Sequence, residues 1–116
     1  MSDVTIYHNP GCGTSRNTLA LLREKGVEPA VVEYLKAGWT RSQLEDLLKR
    51  MDVSAHEILR VRGTKAEELG LTDPGVSDEA LIAAMIIDPI LVNRPIVVTP
   101  KGAALCRPPE LVLGLI

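Results

Sequence analysis

Phenylalanine is absent from this 116-residue chain, and Tyr7, Tyr34 and Trp39 are its only aromatic residues. A core must therefore be assembled from Leu, Ile, Val, Ala and Met. No stripe of aromatic side chains interleaved with basic ones is available for nucleic-acid bases to stack on. Positive charge is not in excess either, and a net charge of −2 gives no electrostatic case for a nucleic-acid partner. The longest unbroken apolar run, 80–87, falls far short of the roughly 20 residues that a membrane-spanning helix needs, so no membrane partner is expected. Cysteine is equally sparse: Cys12 and Cys106 lie far apart, follow no metal-ligand spacing, and predict no metal site. The N-terminal residues run into a strand pattern with neither a basic n-region nor an apolar h-region. Two isolated thiols suit a reducing compartment, and a cytoplasmic location is expected.

What is present has the balance of one soluble domain, expected to span 1–116, with 46% hydrophobic and 24% charged residues. The β-branched and aromatic run Val4-Thr5-Ile6-Tyr7 reads as a strand. A helix follows from Thr14 or Ser15 to Lys25, with Leu19 and Leu22 on one face and Gly26 at its C-terminal end. Residues 30–34 read as a second, parallel strand. Three capping-box patterns then open a helical middle. Thr40-Arg41-Ser42-Gln43 leads a helix carrying Leu44, Leu47, Leu48 and Met51, while Ser54-Ala55-His56-Glu57 and Thr64-Lys65-Ala66-Glu67 each predict a short one. Ser77 should cap a helix running to Ile87, apolar all round over 80–87 and therefore expected to be buried. Residues 95–99, the turn Pro100-Lys101-Gly102 and residues 103–106 predict a β-hairpin, and Pro108-Pro109 opens a last helix, 110–116. The sum is an α/β, thioredoxin-like arrangement: a mixed four-stranded sheet (βαβ … ββα) with a helical insertion at about 40–90 between its halves.

The chemistry gathers at His8-Asn9-Pro10-Gly11-Cys12. Asn9-Pro10-Gly11 forces a turn, which places Cys12 at the N-terminal end of the first helix. Unpaired backbone N–H groups and the helix dipole there favour an anion, lower a thiol pKa and invite an oxyanion ligand. In an open α/β sheet this position is also the carboxyl end of the strands, where ligands bind. Most of the basic residues have ordinary solvation or dipole-matching explanations. Arg94 and Arg107 differ, because they flank the hairpin and so emerge on one edge of the sheet. Cys106 ends a strand and reads as a half-buried, packed thiol. His56 lies inside a short helix with no second ligand residue at metal spacing and reads as structural or surface.

The run Tyr7-His8-Asn9-Pro10-Gly11-Cys12-Gly13-Thr14-Ser15-Arg16-Asn17-Thr18-Leu19 resembles the active-site segment of the glutaredoxin-dependent arsenate reductase (ArsC) family. Asn93-Arg94-Pro95-Ile96-Val97-Val98-Thr99-Pro100 and Cys106-Arg107-Pro108-Pro109-Glu110 are similar to that family's second and third motifs. The segments 58–63 and 67–71 match as well, so the resemblance covers essentially the whole chain. It implies that Cys12 is the nucleophile, that His8 assists it, and that Arg60, Arg94 and Arg107 bind the oxyanion. Arg62 stands two residues from Arg60, and which of the two reaches the anion is left open. It further implies arsenate, or another tetrahedral oxyanion, as substrate. Glutathione as co-substrate and glutaredoxin as partner would complete a two-electron reduction to arsenite, with no bound cofactor.

Physical chemistry agrees with that implication. A multiply charged tetrahedral anion needs several donors and enough positive charge to offset desolvation, which guanidinium forks and helix-end amides provide. Each close cation lowers a thiol pKa by roughly 1–3 units from about 8.5, which would bring Cys12 near 6 with Ser15 and His8 as hydrogen-bond partners. Cys12-Gly13-Thr14-Ser15 has serine where a dithiol enzyme would carry its second cysteine, so an external thiol is required. The Arg94–Pro95 peptide is expected to be cis, since cis bonds are almost confined to X–Pro and thioredoxin-like folds place one at this strand. Two other readings use the same residues. A monothiol glutaredoxin-like module would use Cys-Gly-Thr-Ser to bind an iron–sulfur cluster, leaving the hairpin arginines without a role. An Spx-type regulator binding RNA polymerase shares the topology but usually carries a Cys-x-x-Cys switch, absent here.

Overall fold

A short β-branched strand running into an Asn-Pro-Gly turn sets the first half of the fold. The computed structural model describes residues 3–116. In it, β1 (Thr5–His8) buries Ile6 and His8, and the chain turns to enter α1 (Gly13–Glu24), whose buried face is Ser15, Thr18 and Leu22. β1 is one residue later than the sequence pattern predicts, so His8 closes the strand. At the far end of α1, Val27 N–H donates to Leu22 O (2.9 Å) and Gly26 N–H to Arg23 O (3.0 Å). These are the paired bonds of a Schellman cap, and they need the left-handed φ of 78° that Gly26 supplies. β2 (Ala30–Glu33) then pairs parallel with β1. Tyr34 does not extend it: the fully buried Tyr34 opens a four-residue helix, α2 (Tyr34–Ala37).

The chain divides into two compact units, one reaching to Ala37 and resuming at Arg94, the other Gly38–Asn93. The first is completed by β3 (Ile96–Thr99) and β4 (Gly102–Leu105), giving a sheet in the order β2-β1-β3-β4. β3 runs antiparallel to both β1 and β4, so the sheet is mixed, with Tyr7 opposite Ile96 and Ile96 opposite Leu105. This is the α/β thioredoxin-like arrangement. Val4, Ile6, Leu22, Val97, Cys106 and Val112 form its core, built without phenylalanine from branched aliphatics and one thiol. The C-terminal segment Pro109–Leu115 is a 3₁₀ helix rather than the expected α-helix, tied down where Thr99 Oγ1 donates to Leu115 O at 2.6 Å.

In the second unit, α3 (Arg41–Met51) starts with the predicted capping box: Thr40 Oγ1 accepts from Gln43 N–H, and Gln43 Oε1 accepts from Thr40 N–H. The other two boxes fail as caps. Ser54 precedes a single 3₁₀ turn, Ala55–Ile58, but the N–H of the buried Ala55 is taken by Asp78 Oδ1 instead. Thr64 Oγ1 accepts from Ala66 N–H and donates back toward Arg60 O and Val61 O, which closes a turn where a helix was expected. α4 (Asp78–Ile87) is capped by Ser77 as predicted, yet it is not buried all round. Leu81, Ile82 and Met85 are buried, whereas Ala80 is exposed and Ile87 is 84% exposed. Its apolar run therefore overstates its core face. A further 3₁₀ turn, Pro89–Leu91, leads into an antiparallel bridge between Val92 and Leu59.

Candidate active site

Cys12 is the N-cap residue of α1, with an extended backbone (φ −102°, ψ 122°). Asn9 holds it there from three directions. Asn9 O accepts from Cys12 N–H (3.0 Å), Asn9 Oδ1 accepts from Gly11 N–H (2.9 Å), and Asn9 N–H donates to Ser15 Oγ (3.1 Å). The residue reads in the sequence only as a turn former. Its clamp depends on the strand end meeting the first helical turn, although Asn-Pro-Gly is itself a signal for such a side-chain-closed turn. Arg16 Nη1 adds a bond to Pro10 O at 2.8 Å.

The hairpin brings two guanidinium groups to this turn. Cys106 N–H donates to Pro95 O (2.9 Å), which sets the two hairpin flanks side by side, and both Arg94–Pro95 and Arg107–Pro108 are cis. The first of these was expected, the second not. Arg107 Nη1 donates to Arg94 O (2.9 Å) and lies 3.8 Å from Cys12 Sγ. Burial pushes the Cys12 thiol up. The Ser15 backbone N–H, hydrogen bonds from the Arg94 and Arg107 side chains and the Arg94 charge outweigh it, and the pKa falls to about 7. It stays above the value near 6 expected from cations alone because the same fold that brings the cations also removes water.

His8 bonds to Ser15 and reaches the sulfur through it. Its Nδ1 lies 2.7 Å from Ser15 Oγ, and the ring is buried. Burial lowers the His8 pKa; Glu33 opposes this, while Arg23 and Arg16 reinforce it. The ring is thus neutral near pH 7. With its oxygen already accepting from Asn9 N–H, Ser15 can direct its hydroxyl proton to His8 Nδ1. Ser15 meanwhile gives its own backbone N–H to the Cys12 sulfur. Strand end, helix start and thiol are therefore linked through one serine.

Arg60 belongs to the second unit. Its backbone N–H donates to Leu91 O (2.7 Å), and Asn93 N–H donates to Ile58 O (2.7 Å). Arg60 Nε donates to Arg62 O (3.0 Å) and Nη1 to Asn93 Oδ1 (3.4 Å), so the half-buried Arg60 guanidinium has a defined orientation. Arg62 itself is exposed. His56 Nε2 pairs with Val76 O at 2.7 Å, a structural tie. Cys106 is not half-buried but fully enclosed, one residue beyond β4, and burial raises its thiol to about 12. Among the described residues, no group of three or more His, Cys, Asp or Glu side chains is placed to hold a metal ion. No helix among them is long and apolar enough to cross a membrane.

A lowered thiol at a helix N-terminus, faced by two arginines, can attack an oxyanion that those arginines bind. Comparison with known proteins points to the same chemistry. An arsenate reductase of Rhizobium meliloti (strain 1021) is 54% identical over 113 residues, which cover 97% of this chain and 81% of that protein. The arsenate reductase of Escherichia coli (strain K12) is 50% identical over 116 residues, covering 100% of this chain and 82% of its own length. The solved structure of an arsenate reductase from Vibrio cholerae matches with a TM-score of 0.92 and 41% identity, over 97% of each chain. The model of the ArsC family matches residues 7–115, a span that takes in the Cys12 turn, Arg60 and both hairpin arginines, and the chain belongs to that family.

Proposed function

We propose that this protein reduces arsenate to arsenite through a covalent Cys12–arsenic adduct. The observation that carries the reading is the Cys12 sulfur at the start of α1 with the Arg107 guanidinium 3.8 Å away, a setting whose donors bring the thiol down to about 7. At neutral pH about half the thiol is then ionised. The arginines that stabilise the thiolate are the natural ligands of the anion it attacks. Arg94 and Arg107 offer planar forks to paired oxygens. The third arginine that the family resemblance implies is assigned to Arg60, whose half-buried guanidinium is oriented by Arg62 O and Asn93 Oδ1, over the exposed Arg62.

The thiolate sulfur forms a bond to arsenic(V), and one arsenate oxygen leaves as water after taking up protons. Reduction to arsenic(III) needs two electrons. Two thiol equivalents supply them by becoming a disulfide, so that arsenate plus two thiols gives arsenite, a disulfide and water. Cys106 is a poor internal source, since it is enclosed and its thiol is raised to about 12. Ser15 occupies the place of a second active-site cysteine. Glutathione and glutaredoxin are therefore assigned as the electron donors, in the cytoplasm where such thiols are kept reduced. His8 and Asn9 act as positioning residues through Ser15 and the turn.

The deciding experiment is arsenate-dependent NADPH consumption coupled through glutathione reductase, with glutathione and glutaredoxin omitted in turn. Turnover should require arsenate and fall to background without either thiol component. Oxidation independent of arsenate would return the chain to a thiol-binding module.

A further inference from the structure

Beside the Cys12 turn lies a cleft of about 540 Å3 lined by His8, Pro10, Arg16, Leu19, Ala20 and Arg23. Its volume falls within the range of about 300–1,000 Å3 typical of small-molecule sites. Residues 16, 19, 20 and 23 recur at the spacing of one helical face, so α1 forms one wall and the strand-end turn the other. The floor is apolar, and an arginine stands toward each end.

We propose that this cleft is the binding subsite for glutathione, with Arg16 as the anchor for one of its carboxylates; the inference rests on the thiol-dependent reading above. Glutathione is a tripeptide with a carboxylate at each end and a thiol in the middle. Arg16 and Arg23 are about 10 Å apart along the helix at a rise of 1.5 Å per residue, and an extended tripeptide spans about 10 Å. Arg16 uses Nη1 to hold Pro10 O, and its exposed guanidinium presents the remaining edge to solvent. Its Nη2 lies 3.7 Å from where a Cβ on Gly13, the residue after Cys12, would stand. A carboxylate held there lies against the residue that follows Cys12 in the chain. Arg23 pairs with Glu28 at 3.1 Å, but both side chains are mostly exposed, at 52% and 71%. Such a pair is weak and exchangeable. Leu19, Ala20 and Pro10 suit the methylene groups between the charges. The cleft is distinct from the anion cradle, since neither of its arginines is among Arg60, Arg94 and Arg107.

The test uses S-methylglutathione, which cannot react, titrated into the full-length protein and followed by backbone amide NMR. Shifts should concentrate at Arg16, Leu19, Ala20 and Arg23, and the affinity should fall with added salt. Arg16→Glu should weaken binding about fivefold or more, the scale of an exposed ion pair, while Arg16→Lys keeps most of it. Ala20→Glu, which fills the cleft with negative charge and leaves the Pro10 bond intact, should weaken it likewise. In turnover, both acidic variants should raise the glutathione KM more than the arsenate KM. Shifts elsewhere, wild-type affinity in both acidic variants, or a rise confined to the glutaredoxin KM would overturn the assignment. The two readings can fail separately. A protein that binds S-methylglutathione without arsenate-dependent turnover retains the cleft and loses the arsenate reading. One that reduces arsenate with glutathione but leaves the cleft unperturbed retains the arsenate reading and loses this one.

Discussion

The protein has two cysteines in the same unit, Cys12 at the start of a helix and Cys106 just past a strand, and their surroundings differ completely. Around Cys12 the chain brings donors: a helix-start N–H and two guanidinium groups, which lower the thiol to about 7 despite burial. Around Cys106 it brings the hydrocarbon of Val4, Ile6, Leu22, Val97 and Val112, and burial alone raises the thiol to about 12. Desolvation acts on both sulfurs in the same direction. What separates them is whether the fold aims hydrogen-bond donors at the sulfur. The lesson extends to the serines and threonines of the capping patterns. Thr40 and Ser77 cap because their helices continue, whereas Asp78 takes the N–H that follows Ser54, and Thr64 is drawn into turn bonds of its own.

The contrast is broken most sharply by exchanging the thiols. Cys12→Ser should abolish arsenate reduction, while Cys106→Ser should retain nearly all of it in the coupled assay. A Cys12–Cys106 disulfide trapped during turnover, with Cys106→Ser inactive, would make Cys106 the resolving thiol and remove the external donors from their role. Next in size is the alkylation rate. Carboxamidomethylation of the native protein should modify Cys12 with a midpoint near pH 7, faster as pH rises because the thiolate is the reactive form and its pKa is depressed. Cys106 should react only after unfolding, and equal rates would show that burial does not separate them.

The donors can be weakened one at a time. Arg94→Lys and Arg107→Lys keep the charge but lose the fork, and each should lower kcat/KM for arsenate roughly ten- to hundredfold, the worth of one charged hydrogen bond. The Cys12 pKa should move much less. Wild-type kinetics in both would remove the arginine cradle from the mechanism. The smallest effect is expected from Asn9→Ala, which removes the Oδ1 bond to Gly11 N–H and leaves the backbone bonds of Asn9 to Cys12 and Ser15 in place. It should lower kcat a few-fold and raise the Cys12 pKa slightly as the Pro10-Gly11 turn that presents Cys12 loosens, both read from the pH profile of adduct formation.

Much of this was legible from local pattern. Asn9-Pro10-Gly11 ahead of a helical face places a cysteine at a helix N-terminus in any fold, and that placement is observed. The four strands of the mixed sheet follow from the βαβ opening and the hairpin, with a boundary error of one residue in each of them. The errors in kind have a common origin. Tyr34 looks like a strand residue until burial recruits it to start α2, and 80–87 looks fully buried until packing uses one face of α4. Residues 109–115 wind as a 3₁₀ helix held by Thr99, a partner sixteen residues away that no window contains.

The sequence alone therefore determined that Cys12 sits where an anion is favoured, that Arg94 and Arg107 leave the sheet on one edge, and that the core is aliphatic. Each of these follows from contacts or geometry within a few residues or from the pairing rule of a hairpin. Tertiary structure decided the rest: that Arg107 comes within 3.8 Å of the sulfur, that His8 hydrogen-bonds Ser15, and that the two thiols fall on opposite sides of the ordinary cysteine value. The physical reason is that a pKa and a hydrogen bond depend on distance and on excluded water. Both are set where segments far apart in the chain, such as 8–16 and 94–107, close on one another.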